Sequence, residues 1–102
     1  MTTTLIYCAS WEKGEKRFDE LCENVFKYLS HKKIYKKKRG SICIDTLTND
    51  SYEVVYAYDG ARDYKWNYCE VDEEISLALF HNVILPSGRH NGEDYERRVG
   101  FF

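Results

Sequence analysis

Residues 31–40 read HKKIYKKKRG, and Lys32, Lys33, Lys36, Lys37, Lys38 and Arg39 place six cationic side chains in eight positions. Such a run offers ammonium and guanidinium donors to several phosphates at once, and Tyr35 within it offers a ring on which a base can stack. It also has a structural use, because cations in and just past the last turn of a helix complement its carbonyl end. Gly40 lies beyond the end of such a helix. The first use needs a nucleic acid or an acidic protein surface as partner; the second needs none. The chain as a whole carries 15 basic and 17 acidic residues, a net charge of −2. Outside Lys32–Arg39, nine basic residues face seventeen acidic ones, a balance of −8. Phosphate binding grows with the number of charges neutralised along a broad positive field, whereas this chain confines its positive charge to one patch.

Other chemistry is sparse. Cys8, Cys22, Cys43 and Cys69 are too widely spaced for a C-x-x-C zinc pair, and each sits in an apolar segment where a thiol packs as a small core residue. His31, His81 and His90 fall in different segments. His90, Glu93 and Asp94 stand together, but in a polar stretch that reads first as a loop. No G-x-S-x-G, H-E-x-x-H, phosphate-binding loop or dinucleotide glycine fingerprint is present. The expectation is a protein without a catalytic constellation and without a cofactor.

The elements that would position these residues can be read from periodicity. At 102 residues, 43% hydrophobic with a single Pro, the chain is expected to form one domain over 1–102, with 86–102 as an extended or docked tail. No apolar run reaches membrane-spanning length, and MTTTLIYCASWEKG lacks a basic leader, so a cytoplasmic protein with no membrane association is expected. Residues 3–9 read as a strand. Ser10 is a plausible N-cap, and Phe18, Leu21, Cys22, Val25, Phe26 and Leu29 recur at helical spacing, predicting a helix over about 12–33. SICIDTL, YEVVYAY and YKWNYCEV predict strands at 41–47, 52–58 and 64–71, with TND and DGARD as turns. Asp72 is placed to cap a second helix with Glu73 and Glu74 in its first turn, and VIL before Pro86 reads as a short strand. The resulting fold class is α+β: a two-layer sandwich of β-α-β-β-β-α(-β) order, with an antiparallel sheet packed against helices.

In such a meander Tyr52, Val54, Tyr56 and Tyr58 share a face with Tyr64, Trp66 and Tyr68, and a five-residue loop at 59–63 sets Tyr56 opposite Trp66. The turn before the hairpin decides the fate of that face. A three-residue turn at 48–50 puts Ile42 and Ile44 with the rings in a buried core. A two-residue turn at 49–50 puts them on the other face and leaves the rings exposed. The buried arrangement is favoured, because large exposed aromatic patches are uncommon unless something binds there.

In element order the chain resembles the core of the PD-(D/E)xK nucleases. That resemblance implies a divalent metal held by Asp59 and Asp63, with Lys65 completing the tripeptide Asp63-Tyr64-Lys65, and hydrolysis of phosphodiesters. The acid stands only four residues upstream and Asp63 falls at a turn, so this is the minor reading. The order is similar also to double-stranded-RNA-binding domains, whose second helix begins with lysines; here that start is EVDEEI, of the wrong sign.

The expected function is therefore a small macromolecule-binding module that acts as inhibitor, adaptor or regulator by occupying a partner protein's surface, in the style of viral or mobile-element accessory proteins. Its contact residues are expected among Tyr56, Tyr58, Tyr64, Trp66, Tyr68, Glu70, Asp72, Glu73 and Glu74. Nucleic-acid binding through Lys32, Lys33, Tyr35, Lys36, Lys37, Lys38 and Arg39 is the alternative.

Overall fold

The computed structural model describes residues 2–24, 32–37, 40–45, 50–58, 64–88 and 98–102, with the backbone alone in 32–37 and 40–45. The elements run β1 (Thr2–Cys8), α1 (Trp11–Asn24), β2 (Lys32–Lys37), β3 (Gly40–Asp45), β4 (Asp50–Tyr56), β5 (Tyr68–Val71), α2 (Leu77–Leu79) and β6 (Val99–Phe101). A π turn at Phe80–Ile84 and a 3-10 turn at Leu85–Ser87 continue α2 as one helical run.

The sheet is not the antiparallel meander that alternation suggested. Its six described strands lie in the order β2-β3-β4-β1-β5-β6, and β4, β1, β5 and β6 run parallel. Only β2-β3 and β3-β4 are antiparallel. The expected hairpin does not form, because β1 lies between β4 and β5, pairing Cys8 with Tyr56 on one side and Tyr7 with Val71 on the other. The physical reason is visible in β1. Leu5, Ile6, Tyr7 and Cys8 are apolar without interruption and all buried, as suits a strand covered on both faces at the centre of a parallel sheet.

Helices accordingly cover both faces, which replaces the two-layer sandwich. On one face α1 packs Phe18 and Leu21 onto Ile6, Cys8 and Val54, with Trp11, Tyr52 and Phe102 at the margin. On the other, the 77–87 run packs Val83 and Ile84 onto Leu5, Tyr7, Val55, Trp66, Cys69 and Val71. Successive residues of β1 therefore feed opposite cores, as strand geometry requires.

The helix expected to about residue 33 is described as α1 only to Asn24, and Lys32–Lys37 form a strand at the sheet margin. The basic run is thus not the solvated end of a helix. VIL is helical rather than extended, and the second helix starts at Leu77, capped by Ser76, whose Oγ accepts from Leu79 N at 3.2 Å. Register sets Ile44 opposite Ser51, Ile42 opposite Glu53 and Asp45 opposite Asp50; residues 46–49, on which the two expected turns draw, lie outside the described residues. No described helix is long and apolar enough to cross a membrane.

Candidate functional site

The chain leaves β1 through α1 for β2 at one margin of the sheet and leaves β5 for β6 at the other. In parallel sheets, the crevice beyond the carboxyl ends of two such strands is where ligands usually sit. Here that crevice is built from the Ala9–Ser10 link, the first turn of α1 and the segment from Asp72 to Glu74. Ser10 Oγ accepts from Lys13 N at 3.3 Å, fulfilling the expected N-cap. Gly14 follows because nothing larger fits: a Cβ there would lie 2.6 Å from Val54 Cγ1 and 2.7 Å from Cys8 Sγ. That close approach carries Lys13 over the end of the sheet.

Asp72 occupies the centre of the crevice and is 1% exposed. Its Oδ1 accepts from Lys13 Nζ at 2.6 Å and from Glu74 N at 2.9 Å, and its Oδ2 accepts from Ala9 N at 3.0 Å. Burial alone pushes the carboxyl up, but the hydrogen bonds from Lys13, Glu74 and Ala9 outweigh it and hold Asp72 below the usual carboxylate range. The hydrogen bond to Asp72 in turn raises the Lys13 ammonium above its ordinary value. One turn further along α1, Arg17 grips Glu70 with two parallel bonds, Nε to Oε1 at 2.6 Å and Nη2 to Oε2 at 3.2 Å. Two cross-links therefore fasten α1 to the acidic side of β5.

Beside this crevice lies an aromatic shelf. Trp11 stacks on Tyr56 with ring centroids 6.1 Å apart, and Tyr58 lies 6.2 Å beyond Tyr56. Tyr56 is 39% exposed and Tyr58 51%. Burial, and after it the Asp72 carboxylate, pushes the Cys8 thiol up to about 11, with Glu15 adding less; the Cys8 backbone pairs with Tyr56.

The aromatic row expected from alternation is divided. Tyr56, Tyr58, Tyr64 and Tyr68 are exposed, but Trp66 is fully buried, its indole Nε1 donating to Ile84 O at 2.9 Å. Tyr68 sits at the start of β5 with the Arg98 guanidinium 5.9 Å above its ring, away from the Tyr56 shelf. Glu70 and Asp72 are engaged by α1; Glu73 and Glu74 are exposed, with Lys13 Nζ 3.6 Å from Glu74 Oε1. Lys32, Lys33, Tyr35, Lys36 and Lys37 lie along β2, while Lys38, Arg39, Asp59, Asp63, His31, His90, Glu93 and Asp94 lie outside the described residues. The element order behind the nuclease and RNA-binding likenesses is not the observed one, since EVDEEI forms a strand end and a turn. Cys8, Cys22 and Cys69 are free thiols, and burial raises Cys69 to about 12.

Sequence reasoning passed over Trp11, Lys13 and Arg17. A signal for two of them existed: Lys13 and Arg17 share a face at helical spacing, and Glu70 and Asp72 share a face at strand spacing.

No family model matches the chain, and no curated protein is similar to it. Among solved structures, the large terminase ATPase domain of Thermus phage P74-26 shares its fold with a TM-score of 0.60 at 12% sequence identity. The alignment takes in 98% of this chain and 46% of that one, so the chain spans just under half the length of the domain it resembles.

Proposed function

We propose that this chain is a binding module, built on a terminase-like scaffold and at work in a viral or mobile-element setting. It acts by occupying the surface of a partner protein as an inhibitor, adaptor or regulator. One observation carries the reading: Trp11, Tyr56 and Tyr58 form a contiguous and partly exposed ring cluster at the carboxyl end of the sheet. Tyr and Trp bring large contact area at low entropic cost and are enriched among the residues that dominate interfaces. The setting is suggested by the fold it has in common with a phage protein. Binding is favoured over turnover because the Lys13 ammonium is already committed to Asp72, and because β1 and α1 are joined by two residues, Ala9 and Ser10, too few to wrap a phosphate. Purification of the tagged chain from its native host, beside a Tyr56→Ser/Tyr58→Ser variant of matched thermal stability, tests the reading. A stoichiometric partner held by the first and lost by the second is expected; recovery of the same proteins with both removes it.

A second reading has its own observation. Asp72 and Glu73 follow β5 at the carboxyl end of the sheet, and in P-loop ATPases an Asp so placed holds magnesium. The fit here is poor. Both Asp72 oxygens already accept hydrogen bonds from the chain itself, no described cluster of three acidic, His or Cys side chains suits a metal, and the sequence has no G-x-x-x-x-G-K-[ST]. Calorimetric titration with magnesium and ATP separates the readings: no binding is expected, whereas saturable binding abolished by Asp72→Asn supports the nucleotide.

A further inference from the structure

The two margins of the sheet differ in kind. β2 reads KKIYKK, and lysines along an edge strand oppose the addition of another strand. β6, at the other margin, reads VGF and carries no charge. Arg98 O accepts from Cys69 N at 2.8 Å and Phe102 N donates to Val71 O at 3.0 Å. Strand alternation then turns the amides and carbonyls of Val99 and Phe101 away from β5, toward the side where no described strand lies. Next to them lies a largely apolar cleft of about 180 Å³ lined by Val71, Ile75, Leu77, Phe80 and Phe101 together with the acidic Asp72 and Glu73. Phe80 and Phe101 meet edge to face at 5.7 Å, yet Leu77 is 75% exposed and Phe101 60%. Side chains of that size left in water mark a contact surface.

We propose that β6 is an acceptor edge for an extended segment of a second protein. The segment adds a strand alongside Val99–Phe101, seats an apolar side chain between Leu77 and Phe101, and sets a Lys or Arg against Glu73. Each part of the occupant answers a group in the structure. The outward backbone groups require an extended chain, the cleft requires apolar residues at alternate positions, and the acidic rim requires a cation. This surface is separate from the Trp11–Tyr56–Tyr58 shelf and does not depend on it.

Selection of a random dodecapeptide display library against the intact chain, counter-selected on Phe101→Ser, tests the proposal, with hydrogen exchange on free and bound protein as readout. In the free protein the Val99 and Phe101 amides are expected to exchange about tenfold or more faster than that of Phe102, as unpaired edge groups do. Selected peptides are expected to alternate apolar residues, to carry a basic residue, and to slow those two amides. Affinity is expected to fall about tenfold in Phe101→Ser or Leu77→Ser and severalfold in Glu73→Lys, while Tyr56→Ser leaves it unchanged. Protection of Val99 and Phe101 in the free monomer would overturn the proposal, since the chain would then cover its own edge. So would failure to enrich any peptide over the Phe101→Ser control, peptides that protect the Trp11 face instead, or protection that appears only with dimerisation of the chain.

Discussion

The Lys13 ammonium lies 2.6 Å from Asp72 Oδ1, across 59 residues of sequence, and ties the first turn of α1 to the carboxyl end of β5. The carboxylate it meets is buried and also accepts the Ala9 and Glu74 amides, so this contact joins three segments at once. Asp72→Ala leaves those donors without their acceptor, and a loss of about 3 kcal/mol in urea unfolding is expected. Asp72→Asn, which keeps an acceptor oxygen, is expected to lose less.

Stability should depend on this carboxylate at acid pH. Its folded pKa lies below the unfolded value, so the contribution is fully present above the ordinary carboxylate range and disappears as pH falls through the folded value. Urea midpoints measured from neutral pH down to about pH 2 should therefore fall below about pH 4. Asp72→Asn should flatten that limb without steepening any other.

Gly14→Ala is expected to destabilise the protein, against the usual helix preference for alanine. The added Cβ would stand 2.8 Å from Cys8 Cβ as well as 2.6 Å from Val54 Cγ1. Overpacking of this kind costs about 2 kcal/mol, or roughly 10 °C of Tm for a domain of this size. Val54→Ala in the same chain should recover part of the loss, a coupling that a double-mutant cycle of thermal melts will measure.

The two tryptophans should report opposite environments. Trp66 is fully buried and Trp11 only partly so. Trp11→Phe should leave a blue-shifted emission that iodide does not quench, and Trp66→Phe a red-shifted, quenchable one. Trp66→Phe also removes the donor to Ile84 O, at a cost of about 2 kcal/mol.

Alkylation should discriminate among the thiols. Burial holds Cys8 at about 11 and Cys69 at about 12, so near pH 8 neither offers much thiolate. Mass spectrometry of iodoacetamide-treated native protein should find Cys22, which is only half-buried, labelled well before either.

Replacing Lys33 and Lys36 of β2 by Val should promote self-association, read by sedimentation as mass that grows with concentration, because the charges that guard this edge are removed. An unchanged monomer would show that the lysines serve another purpose.

Part of the local structure was legible in the sequence, and long-range pairing was not. β1, the Ser10 cap and the inward positions Phe18 and Leu21 follow from alternation, cap chemistry and helical spacing. The hairpin was misread because Tyr and Trp at every second position, separated by DGARD, satisfy a hairpin's local rules while the true partner of both segments lies at residues 2–8. Trp66 and Tyr68 were assigned to one face because strict alternation was carried past Asn67. There the chain bends instead, and Asn67 accepts from Thr3 N at 2.9 Å through its side chain and donates to Thr3 O at 2.8 Å through its amide. That break lets Trp66 drop beneath the helical run while Tyr68 stays in water. The lysine run was misassigned for a similar reason, since lysine is compatible with a helix end and with a sheet edge, and only the register of β2 on β3 decides between them.

The position of β1 governs the order in which this protein can be assembled as it is made. The opening residues form the keystone of the sheet, yet Thr3 waits for Asn67, 64 residues behind it, before its second flank is filled. Until then LIYC has β4 on one flank and α1 on one face but its other flank and face uncovered, and such delayed closures slow folding and invite stray association. Synthesis of the amino-terminal half by itself should therefore yield a sticky, unfinished chain, and the moment of greatest risk comes shortly before the last third emerges.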